Sequence, residues 1–162
     1  MGIVYRCLRC DESDAIRLLV ARHQGLPRAW DPEHEVRANR VAHDVAVLSD
    51  ATTANRRIVV VASDEREAIV ALHWVALSDD LGTCAMVQSL WTDPSLRRRG
   101  IARELKRLGE EWARSVGATT IATNVAPKNR EMILLNETLG FCVDSSPSDP
   151  PPAGYVRMTK AL

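Results

Sequence analysis

The sequence predicts an α/β (α+β) fold. Residues 1–162 read as one domain, with a mixed, mostly antiparallel sheet of about seven strands, a parallel pair at its centre and about four flanking helices. Three observations predict this. Two apolar runs, Arg57–Ser63 (RIVVVAS) and residues 68–77 (AIVALHWVAL), flank an acidic turn, which is the pattern of a hairpin. A third run at residues 84–91 follows directly and extends the hairpin into a meander. Beyond it the order becomes strand, helix, strand, helix, strand, and such crossovers favour parallel neighbours at the middle of a sheet.

Taken in order, residues 5–8 form a short first strand. Asp11 is placed as an N-cap, Ile16, Leu19, Val20 and His23 recur at helical spacing, and Gly25 is the stop. Asp31 and Pro32 repeat the N-cap and first-turn pattern for a second helix whose apolar stripe is Val41, Val45 and Leu48. Residues 50–55 read as a polar loop, and Asp79, Asp80, Leu81 and Gly82 as a turn between strands. Ile101, Leu105, Leu108, Trp112 and Val116 step by 4, 3, 4 and 4, an amphipathic helix. Residues 119–125 form a strand, 129–139 a helix closed by Gly140, and 141–144 the start of a strand. After a loop with four prolines (145–154), residues 155–160 form the last strand.

Composition narrows the function classes. A chain of 162 residues that is 46% apolar and 26% charged can bury a core without disulfide or metal staples. Its 21 basic and 21 acidic residues cancel, which argues against a partner gathered by a whole-molecule field, whether nucleic acid or anionic lipid. Aromatic residues are only 4% of the chain, too few for a base-stacking platform. No apolar run approaches the ~20 residues that cross a bilayer, and the first ten residues lack a signal-peptide pattern, so the expected location is cytoplasmic. Cys7 and Cys10 have C-x-x-C spacing but no second ligand pair completes a zinc site. Cys84 and Cys142 sit inside apolar runs as small hydrophobes. The expectation is four structural thiols and no metal.

The stretch that carries chemistry is LWTDPSLRRRGIAR, from Leu90 to Arg103. A strand ends at Thr92, a turn passes through Asp93 and Pro94, and a helix begins near Gly100. Unpaired N–H groups at a helix start carry about half a positive charge and suit a phosphate or pyrophosphate. Gly100 presents no Cβ to an approaching anion, and Ala102 is nearly as small. The competing reading is a solvated, arginine-rich first turn, yet the helix dipole disfavours three arginines there unless an anion is present.

Arg97, Arg98, Arg99, Gly100, Ile101 and Ala102 match the R/Q-x-x-G-x-G/A signature, and on it the chain resembles the GNAT superfamily of acyl-CoA-dependent N-acyltransferases. Leu90, Trp91 and Thr92, followed by Asp93 and Pro94, resemble that family's splayed central strand and its turn. NREMILLNETLGF, from Asn129 to Phe141, resembles its second motif. The element order is the family's as well, so the similarity covers nearly the whole chain. The resemblance implies acetyl-CoA as cosubstrate, no metal, and direct attack by the amine of a small molecule or peptide within a ternary complex. It implies that Leu90 and Thr92 pair with the pantetheine arm and that one of their amides polarises the thioester carbonyl. Amides from Arg98 to Arg103 would cradle the pyrophosphate, and Asn129, with Met132 and Asn136 in the same motif, would contact the arm. A homodimer is an open expectation.

Two departures from the family pattern matter. A tyrosine that protonates the leaving thiolate is common where this chain has Asn136, which is no comparable acid. The carboxylate often found on the central strands is absent, so the candidate catalytic residues are Asn136, Gln88 and Asn124, the last two with hydrogen-bonding fillers as the alternative reading. Asp31, Glu33 and Glu35, with Asp79 and Asp80, read as helix-start and turn acids, with an acidic rim for an ammonium acceptor as the alternative. His73 faces either the cleft or the core. With Asp31 and Glu33 it completes the candidate acceptor-binding residues. The alternative to an enzyme is a non-catalytic acyl-CoA-binding sensor or interaction module.

Overall fold

The computed structural model describes residues 2–78, 83–145, 147 and 149–162. Its strands are β1 (Val4–Cys7), β2 (Arg57–Ser63), β3 (Ile69–Leu77), β4 (Cys84–Thr92), β5 (Thr120–Val125), β6 (Cys142–Val143) and β7 (Val156–Ala161). Its helices are α1 (Ser13–Gly25), α2 (Ala38–Ser49), α3 (Ile101–Ser115) and α4 (Arg130–Thr138), joined by short 3-10 turns. The sheet order is β1-β2-β3-β4-β5-β7-β6. Among the described residues, β4 and β5 are the one neighbouring pair that runs parallel. The second crossover adds no parallel contact, because β7 inserts between β5 and β6 and pairs antiparallel with both.

Alternation along the strands loads both faces of this sheet. On one face Val59, Val61, Leu72 and Trp74 meet Ile16, Leu19, Val20 and Leu48 from α1 and α2. On the other, Val60, Ala62 and Leu90 meet Ile101 and Leu105 of α3, while Val75, Ala85, Ile121 and Met158 enclose Ala113 and Phe141. Each fully buried Val, Leu, Ile, Phe or Met among them contributes about 1.5–3 kcal/mol by area removed from water.

Several local expectations change. The first helix is capped at Glu12 rather than Asp11, whose carbonyl instead accepts from Ser13 N at 3.0 Å. The second helix begins at Ala38, not at Asp31 and Pro32. Asp31 N already donates to Pro27 O, and among the charged Glu33, Glu35 and Arg37 the half-buried Val36 stands alone, too little for an apolar stripe before Val41. Residues 51–56 form a 3-10 turn capped by the Asp50 side chain where a loop was expected. Cys142 is exposed on β6 rather than packed as a hydrophobe, because that strand is the sheet's outer edge. The turn at residues 79–82, with Asp79 and Asp80, lies outside the described residues.

Candidate active site

The sheet opens at its parallel pair. Strands β4 and β5 are paired from Cys84↔Thr120 to Val87↔Thr123 and no further, although β4 continues to Thr92 and β5 to Val125. The cause lies in the β3–β4 register. Trp74 pairs with Ser89 and Val75 with Val87, so Gln88 is an extra residue, a β-bulge. A bulge bends and twists its strand, and here it turns the second half of β4 away from β5. The side of Leu90, Trp91 and Thr92 that would face β5 therefore has no partner strand, an edge inside a sheet that an extended ligand can complete.

The chain leaves β4 through a tight, well-braced turn. Asp93 Oδ1 accepts from Ser95 N at 2.9 Å and Ser95 Oγ at 2.6 Å, bonds that hold its carboxyl below the usual carboxylate range. Arg98 (φ 64°) and Gly100 (φ 83°) then take left-handed backbone conformations directly before Ile101 opens α3. Left-handed residues at such a turn gather successive N–H groups into a concave anion nest at the positive end of the helix dipole. A Cβ on Gly100 would meet no atom within 4 Å, so glycine serves conformation here rather than space. Arg97 donates through Nε to Thr92 O at 3.3 Å and stands 3.8 Å from Glu131 of α4. Arg98, Arg99 and Arg103 are exposed, while Ala102 is half-buried beside Ile101.

On the α3–α4 side, Asn129 caps α4, accepting through Oδ1 from Met132 N at 3.2 Å. Met132 packs between the two clusters beneath α3. Asn136 is fully buried, its Nδ2 lies 3.7 Å from Met158 Sδ, and its Oδ1 has no partner. His73 is also fully buried on this side. Its Nδ1 is 2.9 Å from Ser89 O, its Nε2 is unpartnered, and burial pushes its pKa down to about 3. Lys106 of α3 is buried as well, 4.3 Å above the Phe141 ring with an unpartnered Nζ, and burial lowers its pKa to about 8.

On the opposite face, Arg22 of α1 stacks over Trp91 at 4.8 Å, and His23 meets Trp74 edge-on at 5.5 Å. Burial holds the His23 pKa below its ordinary value although Asp44 Oδ2 stands 3.8 Å from Nε2. His23 also lines a cavity of about 690 Å³ under the connection from α1 to α2, together with Asp31, Glu33 and Glu35. Gln88 is exposed at the bulge. Asn124 is bound through Oδ1 to Arg157 Nε at 2.6 Å, and Arg157 reaches Asp149 at 3.4 Å.

The structure thus places Leu90, Thr92 and Arg97 to Arg103 on the β4 side of the opening, Asn129 beyond the end of β5, and Asp31 and Glu33 at a separate cavity. His73 does not join that cavity: its ring lies under α3, against Gly109. Sequence reasoning missed the bulge itself, the Asn124–Arg157 pair and the burial of Lys106. The bulge and the pair depend on cross-strand register, which no single segment encodes.

Three comparisons with known proteins agree with this architecture. Residues 20–141, more than half of the chain, match the family model described as the acetyltransferase (GNAT) family. A mycothiol acetyltransferase from Propionibacterium freudenreichii is 30% identical over 100 residues, 61% of this chain but 32% of the relative, so the chain spans about a third of that protein's length. Among solved structures, a GNAT-family acetyltransferase from Staphylococcus aureus Mu50 superposes with a TM-score of 0.79 at 11% identity, covering 99% of both chains. The PaiA N-acetyltransferase of Thermoplasma acidophilum, solved with coenzyme A, gives 0.78 at 12% identity over 100% of each chain. A bulged, parted strand pair that runs into a left-handed turn before α3, together with the family match over residues 20–141, leads to one conclusion: the chain belongs to the GNAT acetyltransferase family.

Proposed function

We propose that this protein is an acyltransferase, of the kind moving groups other than amino-acyl groups, that passes an acetyl group from acetyl-CoA to a primary amine by direct transfer in a ternary complex. The observation that carries the reading is the continuous path from the β4 edge to the nest at Arg98 and Gly100. Backbone groups of Leu90 and Thr92 would pair with the pantetheine arm like an added strand. Amides from Arg98 to Arg103 would hold the pyrophosphate, and Arg98, Arg99 and Arg103 would add charge at the mouth. Asn129 keeps its amide nitrogen as a donor to the arm while its oxygen caps α4. A GNAT neighbour solved with coenzyme A supports the choice of cosubstrate.

The acceptor would be a small-molecule or peptide amine entering from the α1–α2 side, with Asp31 and Glu33 at the cavity rim. Positioning supplies most of the rate in this scheme. A neutral amine attacks the thioester carbonyl, the C–N bond forms as the C–S bond breaks, and the amine proton leaves with the thiol. Neither Gln88 nor Asn124 titrates, so each would orient the acceptor rather than carry its proton. The buried Asn136 favours a second reading, an acyl-CoA-binding module without turnover. Thiol release from acetyl-CoA, measured with polyamines, amino acids, aminoglycosides and peptides beside calorimetric binding, separates the two. Turnover with any amine supports the enzyme, binding without turnover across the panel supports the module, and no binding rejects both.

A further inference from the structure

We infer that His73 is a positioning residue of the transfer reaction, holding the Ser89 carbonyl so that the Leu90 amide is aimed into the opening between β4 and β5. The inference rests on the proposed acetyl transfer and adds the side chain that would orient the amide.

His73 Nδ1 and Ser89 O are hydrogen-bonded at 2.9 Å. A carbonyl oxygen only accepts, so Nδ1 carries the proton. The groups around the ring keep it neutral, since His73 is fully buried on β3 with Gly109 and the Lys106 ammonium facing it from α3. Around that ammonium stand Glu110 on α3 and Lys160 on β7. A neutral ring protonated at Nδ1 leaves Nε2 bare, and Nε2 is buried without a partner. It faces helix backbone rather than any path for an amine, so His73 is a donor to Ser89 and not a base.

The bulge lies directly beside this bond. At Gln88 the β3–β4 ladder skips a residue and resumes at Trp74↔Ser89 and His73↔Leu90, so the Ser89–Leu90 peptide is the first within the resumed ladder and the His73 side chain braces it there. That peptide joins Ser89 to Leu90 and is trans, so its carbonyl and its N–H point in opposite directions. With the carbonyl turned to the β3 side chain, the Leu90 N–H turns away from β3, toward the side where pairing with β5 has already stopped at Val87. An amide there would meet a thioester carbonyl of a strand-like arm and stabilise the charge that develops on its oxygen. Gly109 completes the clamp. A Cβ at that position would lie 2.7 Å from His73 Nε2 and 2.8 Å from Cδ2, so glycine lets α3 press directly on the ring.

The test reads carbonyl polarisation and needs no acceptor. The carbonyl of [1-13C]acetyl-CoA, bound to the wild type, should resonate downfield of its free position. His73→Leu should bind acetyl-CoA with affinity close to wild type yet lose about half or more of that displacement. His73→Asn, whose Nδ2 stands where the imidazole Nδ1 does, should restore it. Full displacement in folded, cosubstrate-bound His73→Leu overturns the inference and leaves the transfer reading intact. Absence of acetyl-CoA binding to the wild type rejects the transfer reading, and with it this inference. Long-range 1H–15N correlation on the wild type is independent of any variant: a His73 ring protonated at Nε2 overturns the clamp even if His73→Leu fails to fold.

Discussion

Replacing Lys106 by methionine should stabilise the protein at neutral pH. The ammonium is 2% exposed, its Nζ has no hydrogen-bond partner, and burial lowers its pKa from 10.5 to about 8. At about 1.4 kcal/mol for each factor of ten, that drop corresponds to about 3 kcal/mol by which the folded state disfavours the charge. The attraction of Glu110 is already included among the causes, and the contact with Phe141 at 4.3 Å returns about 1 kcal/mol. Methionine keeps the length and the apolar contacts, and Glu110 retains Lys160 at 2.7 Å and Arg114 at 3.5 Å. The net gain is about 2 kcal/mol, or about 4–8 °C in Tm for a chain of this size. The sign with pH follows from linkage. Because the folded pKa is depressed, the unfolded chain binds more protons between pH 8 and 10.5, and wild-type stability from this group rises across that window. Below pH 8 the full penalty is present. Urea unfolding of both proteins at pH 7 and pH 10 should show the variant ahead at pH 7 and the gap closing at pH 10. A variant less stable than wild type at pH 7 would refute the reasoning, since it would mean that the buried ammonium is well paired.

Gly100→Asp places a carboxylate in a left-handed position at the mouth of the nest and should lower acetyl-CoA affinity at least ~30-fold, or ~2 kcal/mol, by calorimetry; unchanged affinity in a folded variant rejects the nest. Asn136→Leu removes a buried oxygen that lacks a partner and should raise stability by about 1 kcal/mol. In an active enzyme, the same change should cost kcat less than the ~100-fold expected of a proton-transferring group, and a loss of several thousandfold would place Asn136 in the transition state. Thiol labelling followed by mass spectrometry should modify the exposed Cys7 and Cys142 in the native protein and reach Cys84 only on unfolding. Native labelling of Cys84 at the rate of Cys142 would contradict its burial.

What could be read in the sequence was local. The start of α3 is announced by a glycine after three arginines, and the helix beyond it by an apolar stripe, so both were legible. The helix read over 129–139 is present as α4, with Asn129 as its N-cap rather than its first residue. The bulge was not legible, because it is a relation between Gln88 and the β3 residues Trp74 and Val75. Strand alternation places His73 opposite Trp74, but only the docked position of α3 decides that His73 faces the helix. Lys106 and Glu110 lie off the apolar stripe and look solvated in sequence. They are buried because Gly109 lets α3 settle low on β3. Likewise, Asp31 and Pro32 carry the local grammar of a helix start, which a preceding 3-10 turn pre-empts.

The distribution of unsatisfied groups argues that the opening, rather than the core at large, is where this fold gives up stability. Among the described residues, the buried side-chain atoms without partners belong to His23, His73, Trp74, Ser89, Thr92, Lys106 and Asn136. Four of these residues are on β3 and β4 at or beyond the bulge register, and the others come from the helices packed over the sheet. Each such atom costs about 1–3 kcal/mol. Charge separates the members of this set. Lys106 is penalised chiefly as a cation, and a neutral isostere recovers the loss without touching the β4 backbone. His73 is different, because its second nitrogen is left bare by the bond its first nitrogen makes to Ser89. Removing the unsatisfied Nε2 therefore also removes the only side-chain bond described to the Ser89 carbonyl. A leucine at position 73 should gain little stability for that reason, while one at position 136 gains more, since Asn136 is tied only by a weak contact to Met158 Sδ.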